Sequence, residues 1–415
     1  MKINLVTHLC FLVPFVLVTF NVQVFTTILV SSTIAQLIAY GNIALLLLGI
    51  ALIIKKRGEL SKTVKLLITF FLMYFSFAIL ASAIHHNPAN ILFSIVPFVY
   101  LLAFYVYLSI PGNRIIFKKV ALVTLVLSTI LAIHLYNINF DIEVRGTAKY
   151  KVDRAQGVFG DANNTAVSAI IAFIFLYKLY TPEKYIFKLV KLLFLGLVFY
   201  TLFLTFSTTG FLVFIIAFVI LNYKFFTGIK LILAIVILPV FYITLINLNN
   251  LTANLDLRGQ QREKITNLVN VLTFNTEEVD DSGRNELVTK LLNDYVFENP
   301  ILGNGLDFAI SKRAHNTVVG VWADAGIFTF LFFLFMLFKY FINTINSPPS
   351  IRYFVLPLLI CICIFMLSLQ SVINQPYLIT LLVYLGYLVD MKNEDELLFK
   401  QLDKTLEEPV SIKGL

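Results

Sequence analysis

The sequence predicts an all-α polytopic membrane protein with about 12 transmembrane helices and two sizeable loops on one side of the bilayer. Three observations carry that expectation. Hydrophobic residues make up 59% of the 415-residue chain and charged residues 13%. Mean hydropathy is +0.86, far above the usage of soluble domains. Apolar runs of roughly the 20 residues that a helix needs to cross a bilayer recur along most of the chain.

The runs fall near 9–30, 33–54, 64–84, 91–110, 118–136, 163–180, 189–206, 209–224, 230–247, 316–341, 353–370 and 374–391. The seventh and eighth are separated only by Ser207-Thr208-Thr209-Gly210, and the twelfth starts among polar residues. The first has no convincing small-residue cleavage site and reads as a retained signal anchor. The chain thus divides into one transmembrane domain, 1–391, with loops at 137–163 and 248–315, and a tail, 392–415. In that tail Asn393 to Leu402 could form a short amphipathic helix.

Positive charge in short loops sets orientation. Lys55, Lys56, Arg57, Lys62 and Lys65 follow the second run, and Arg114, Lys118 and Lys119 follow the fourth. Lys178, Lys184, Lys188 and Lys191 follow the sixth, Lys224 and Lys230 the eighth, and Lys339 and Arg352 the tenth. These loops, and with them both termini, are expected on the cytoplasmic side of the membrane. The loops at 137–163 and 248–315 then lie on the opposite side. The net charge of +8 is spent in these loops. No basic stripe with interleaved aromatics points to nucleic acid. Cys10, Cys361 and Cys363 lie in apolar runs, which supports neither a disulfide framework nor a metal site.

Chemistry is expected in the polar island from Asn247 to Asn316. Leu287, Leu291, Leu292, Tyr295 and Val296 form one helical stripe, with Asp281 or Ser282 as N-cap and Asn299-Pro300 as the stop. Arg284 then sits in the first turn, against the macrodipole. It is either paired with Glu286 or Asp281, or part of an anion site at a helix N-terminus. Upstream, Arg154 precedes a Gly- and Asx-rich turn, 155–164, that caps the sixth run. It either snorkels to lipid phosphate or brings a second arginine to the same mouth.

His315 begins the tenth run, where the helix N-terminus, Lys312, Arg313 and Arg284 should lower its pKa and keep the imidazole neutral. Neutral imidazole is what a general base requires; a helix-capping or interfacial histidine is the plainer alternative. Asp324 lies nine residues on, roughly 13 Å along a helix axis, where a carboxylate needs a partner. Orienting a basic residue, binding a sugar hydroxyl and structural hydrogen bonding all fit it. Trp322 suits an interfacial belt, as do His85, His86 and His134.

Together, Arg154-x-x-Gly157-x-Phe159 with Asp161-x-Asn163, Gly283-Arg284, Asn299-Pro300-x-x-Gly303-x-Gly305, and His315-Asn316 with Asp324-x-Gly326 resemble the bacterial O-antigen polymerase and O-antigen ligase superfamily. The resemblance is specific between about 150 and 330 and topological elsewhere. It implies a GT-C-like helical architecture and a metal-independent, cofactor-free glycosyltransferase. The donor would be an undecaprenyl-diphosphate-linked glycan, with a glycan acceptor and, as a possible partner, a chain-length regulator protein. Arg154 and Arg284 would hold the diphosphate, and His315 would act as base or orient the acceptor, with Asp324 and Asn316 in support.

One departure matters. Many relatives carry an arginine after the seventh span, where this chain has Ser207-Thr208-Thr209-Gly210. Arg258, Arg262 or Arg313 would take its place, or hydroxyls serve. The resemblance favours a polymerase of surface polysaccharide. An O-antigen ligase acting on lipid A-core and a protein O-oligosaccharyltransferase share the donor chemistry. A twelve-helix transporter or flippase is the alternative from another class, although no half-repeat is visible.

Overall fold

The computed structural model describes residues 5–86, 91–142, 144–148, 152–226, 235, 239–240, 242–255, 257–278, 283–313, 315–370 and 372–391. The protein is built of helices, with a single two-stranded hairpin, β1 (Phe140–Asp141) and β2 (Gly146–Thr147), among the described residues. In order, the helices are α1 (Leu5–Thr19), α2 (Val22–Leu29), α3 (Ser32–Ile53), α4 (Lys62–Ile84), α5 (Ile91–Ser94), α6 (Val96–Tyr107) and α7 (Pro111–Asn137). There follow α8 (Ala162–Leu179), α9 (Tyr185–Leu204), α10 (Thr208–Leu221), α11 (Leu248–Leu251), α12 (Gly259–Leu272) and α13 (Arg284–Leu291). The last four are α14 (Phe308–Ser311), α15 (Thr317–Ile345), α16 (Pro349–Met366) and α17 (Pro376–Val389).

Among the described residues seven helices are long and apolar enough to cross a membrane, and an eighth span arises if α1 and α2 count as one. Three shorter apolar helices, α6, α10 and α17, coincide with the fourth, eighth and twelfth runs. Half of the ninth run, 230–247, lies outside the described residues, as does the whole 392–415 tail. The first run is not the single anchor helix expected. It bends by 61° between α1 and α2, because Asn21 takes a left-handed conformation (φ 50) and its Nδ2 donates to the Val158 carbonyl at 2.8 Å.

Hydropathy does not separate lipid-facing helices from central ones, and packing does. Every residue of α17 from Tyr377 to Val389 is buried, and α8 is buried along nearly its whole length. Both are apolar on all sides because both are surrounded by protein. By contrast α9 buries only Val198, Thr201, Leu202 and Leu204 and leaves the rest of its surface for lipid. Aromatic pairs fill the seams between helices, such as Phe70 of α4 against Phe333 of α15 at 4.8 Å.

The two ends of the bundle differ. At one end Asp390, just past α17, accepts hydrogen bonds from Ser61 Oγ (2.7 Å), Thr63 N–H (2.8 Å) and Thr63 Oγ1 (2.8 Å). Gly58 N–H donates to Ser109 Oγ at 3.0 Å, and Ser347 Oγ donates to the Val389 carbonyl at 3.3 Å. The lysine- and arginine-bearing loops 54–62, 109–119 and 345–352 are thereby gathered together. The loops 137–163 and 248–316 meet at the other end.

Candidate anion-binding site

Four helices begin side by side at that second end. Asp161 caps α8, its Oδ1 accepting from Asn164 N–H at 2.8 Å. Ser207 caps α10 through Gly210 N–H at 3.0 Å, and Asn316 caps α15 through Val319 N–H at 3.0 Å. Helix α17 starts at Pro376 after Gln375. The caps are stitched to one another: Ser207 Oγ donates to Asn163 Oδ1 at 2.8 Å, and Gln375 Nε2 donates to Asn164 Oδ1 at 2.7 Å. Thr317 Oγ1 donates to the Leu369 carbonyl (2.6 Å) and accepts from Val372 N–H (3.2 Å). Four partial positive charges therefore face one mouth.

Two arginines border this mouth. Arg154 Nε donates to the Thr205 carbonyl at 2.8 Å, which anchors the guanidinium between the end of α9 and the start of α10. Arg284 is the first residue of α13, after Gly283 (φ 71). Asp281 and Ser282, expected as caps, lie outside the described residues, and glycine holds the cap position because the backbone there is left-handed. Among the described residues Arg284 has no hydrogen-bond or ion-pair partner, Glu286 included.

Electrostatics tie the third residue in. Burial lowers the His315 pKa from its ordinary 6.5; the Arg284 and Arg313 charges lower it further and Asp161 opposes them. The direction matches the sequence expectation, but desolvation is the larger cause, and Lys312 instead packs over the Tyr295 ring at 4.5 Å. Burial likewise lowers the Arg154 pKa, with Asp161 and Glu263 opposing and Arg284 assisting. Arg284 and Asp161 thus act on both Arg154 and His315. Residues separated by 130 and 31 positions in sequence share one electrostatic neighbourhood. His315 stands just before the cap of α15, in a left-handed conformation (φ 48), and does not itself begin the helix.

Asp324 is not part of this mouth. Tyr74 Oη donates to its Oδ2 at 2.7 Å and Ala309 N–H to its Oδ1 at 2.7 Å, so its partners are structural, neither a base nor an open hydroxyl-binding position. The glycine motif explains why. At Gly326 (φ 75) α15 is broken, and the segment 300–305 inserts into the break. Asn304 N–H donates to the Ala323 carbonyl (2.7 Å), Gly305 N–H to the Asp324 carbonyl (3.1 Å), and Ile327 N–H to the Pro300 carbonyl (2.9 Å). Hydrogen bonds lost from the helix are replaced by the loop. Trp322 joins the same lock, its Nε1 donating to the Pro300 carbonyl at 3.0 Å, and is not simply a belt residue.

The remaining candidates divide. Arg258 binds the Val152 carbonyl and lies 3.6 Å from Asp153, which fastens α12 to the 137–163 loop. Gln261 Nε2 strengthens this contact through the Asp153 carbonyl at 2.7 Å. Arg258 is therefore a tether. Arg262 and Arg313 are exposed, and only Arg313 is among the charges acting on His315. Two residues that the sequence analysis passed over also come to the mouth on α12. Glu263 acts on Arg154 and pairs with Lys264 at 2.9 Å, and the Lys264 carbonyl accepts from Thr208 Oγ1 at 3.4 Å. The only sequence signal for them was the amphipathic spacing of Ile265, Leu268, Val269 and Leu272.

Fold and site together define the class: an all-α protein with several helices of membrane-spanning length and composition, and an electropositive mouth at one end. No protein-family model matches the chain, and no curated protein matches it.

Proposed function

We propose that the protein is a membrane glycosyltransferase that polymerises lipid-diphosphate-linked oligosaccharide units into a surface polysaccharide at the outer face of the plasma membrane. The observation that carries this reading is the convergence of Arg154, Arg284 and His315 at a mouth ringed by four helix N-termini. Such a mouth suits a multiply charged anion at the membrane surface.

In the reaction, an acceptor hydroxyl oxygen bonds to the anomeric carbon of the donor while the anomeric C–O bond to diphosphate breaks. The bonding pair leaves with the diphosphate oxygen. Arg154 and Arg284 stabilise the charge that develops there. The hydroxyl proton passes to the imidazole of His315, whose lowered pKa keeps it neutral and able to accept.

The test is complementation of a strain lacking the gene by Arg154→Ala, Arg284→Ala and His315→Ala. Each variant is expected to reach the membrane and fail to make long-chain polysaccharide. Normal polysaccharide from all three would overturn the site. Purified protein given lipid-linked units should yield a ladder of lengthening glycans. A single transfer to lipid A-core would instead mark a ligase, and translocation without transfer a transporter.

A further inference from the structure

We infer that the turn 297–302, between α13 and α14, is an anchor in the bilayer, with the side chains of Phe297 and Ile301 among the upper acyl chains of the leaflet on the mouth side. The inference rests on α15 crossing the membrane and on nothing in the chemistry proposed above. Depth follows from the lock at Gly326. From that break to its end at Ile345, α15 rises only about 28 Å at 1.5 Å per residue, less than the ~30 Å hydrocarbon layer. Its far end is already polar, since Asn343 Nδ2 donates to Thr63 Oγ1 at 3.0 Å beside Asp390. The hydrocarbon boundary therefore reaches the break or passes it. The turn sits at that level, because the Pro300 carbonyl accepts from Ile327 N–H (2.9 Å) and Trp322 Nε1 (3.0 Å).

The lipid-facing surface passes from helix to turn at this level. Beyond the break Phe328, Leu331, Phe335 and Phe338 are exposed, and their three- and four-residue spacing makes one stripe along α15. On the mouth side of the break Val321, Ala323, Asp324 and Ala325 are buried. The exposed apolar side chains there are Phe297 and Ile301, at 57% and 58%. Phe297 meets Trp322 edge to face at 6.1 Å, and Trp322 stacks on Phe330 at 5.1 Å. One apolar surface thus runs from α15 onto the turn, and the lipid that covers the first covers the second.

Backbone polarity sets how far the turn sinks. Irregular backbone is tolerated at membrane depth only where its polar groups are satisfied. The N–H groups of Gly303, Asn304, Gly305 and Leu306 donate at 2.7–3.1 Å to the Asn299, Ala323 and Asp324 carbonyls and to Ser82 Oγ, and Pro300 has no N–H. The Ile301 and Leu302 N–H groups find no acceptor among the described residues. They therefore stay at the level of lipid ester and phosphate oxygens, while the side chains reach below, as in other interfacial segments. Leu291 at the end of α13 and Val296 beyond it share a small core with Ala309 and Ala323. The anchored turn thereby also fixes the height of α13, and of Arg284 at its start, relative to the bilayer.

The experiment uses full-length protein in nanodiscs, with Cys10, Cys361 and Cys363 replaced by alanine and a nitroxide attached at Phe297→Cys or Ile301→Cys. Power-saturation EPR compares access of oxygen, which concentrates among acyl chains, with access of a water-soluble nickel chelate. Leu331→Cys is the lipid-facing reference, and Glu286→Cys, exposed on α13, the aqueous one. Both turn labels are expected to show the loss of nickel access seen at Leu331→Cys. Nickel access equal to that at Glu286→Cys, or shielding from oxygen and nickel alike by a protein contact, overturns the anchor. Should the cysteine-free chain not fold, the native chain decides, because Trp322 is its only tryptophan and is bonded to the turn at Pro300. Lipids brominated at the top of their acyl chains should quench Trp322 fluorescence and aqueous iodide should not; the reverse overturns the placement. Glycosyl transfer enters neither measurement, so failure here leaves the proposed function standing, and failure there leaves the anchor.

Discussion

Gly326 stands directly against Ile301: a Cβ at position 326 would meet the Ile301 carbonyl oxygen at 1.9 Å. A backbone at φ 75 and ψ 177 is open essentially to glycine alone and costs an L-residue roughly 1–3 kcal/mol, and forced overpacking about 1–3 kcal/mol more. Gly326→Ala should therefore lose a large share of a typical margin of about 5–15 kcal/mol, seen as a marked fall in Tm in detergent and in membrane level. Gly303→Ala should behave alike, since its Cβ would stand 2.6 Å from the Asp324 carbonyl oxygen. At Gly283 nothing lies within 4 Å, so Gly283→Ala should cost only the backbone term.

Asp324 is fixed by Tyr74 and Ala309, and its charge is not among those acting on Arg154 or His315. Tyr74→Phe leaves a buried carboxylate oxygen without its donor and should cost about 1–3 kcal/mol. Asp324→Asn should lower thermal stability while transfer per folded molecule stays within about twofold of wild type, because no reacting group depends on it. A hundredfold loss at normal protein level would return Asp324 to the site.

Removing Arg154 or Arg284 should reduce kcat by about a hundred- to a thousandfold, the range for one preorganised donor to a developing anion. Lysine should recover little at Arg154, where Nε is already committed to the Thr205 carbonyl and only a guanidinium leaves further N–H groups to offer. Rates from purified variants, matched for monodispersity, supply the measurement.

The His315 titration offers a test of electrostatics with opposite signs. Arg313 is a cation that lowers the His315 pKa and Asp161 an anion that raises it. Arg313→Gln should therefore shift it upward and Asp161→Asn downward, and asparagine still caps α8. In the wild type the pKa should lie below 6.5, so a base-dependent rate should hold at pH 7 and decline only under more acidic conditions. Labelled-histidine NMR in detergent reads all three proteins.

Much of this was legible in the chain. Apolar runs located the helices because the ~30 Å hydrocarbon thickness imposes their length, and the stripe from Leu287 to Val296 placed Leu291 and Val296 inside. The bend at Asn21 was not legible, since a left-handed asparagine held by Val158 leaves no mark on hydropathy. Neither was the division of labour among Asp324, Gly303 and Gly326. A costly intramembrane carboxylate reads as function until Tyr74 and Ala309 are seen to satisfy it.

The sequence by itself determined that apolar helices dominate, which loops are polar, and that Arg154, Arg284 and His315 are types suited to an anion and a base. These are local properties, written in residue type and period. Only the tertiary structure decided that α8 and α17 lie at the centre and that four helices start at one mouth. It also decided that Arg284 acts on both Arg154 and His315, and that the glycine motif is a lock. Those outcomes depend on contacts between segments tens to hundreds of residues apart, fixed by hydrogen bonds such as Gln375 to Asn164. No periodicity within either segment specifies its partner.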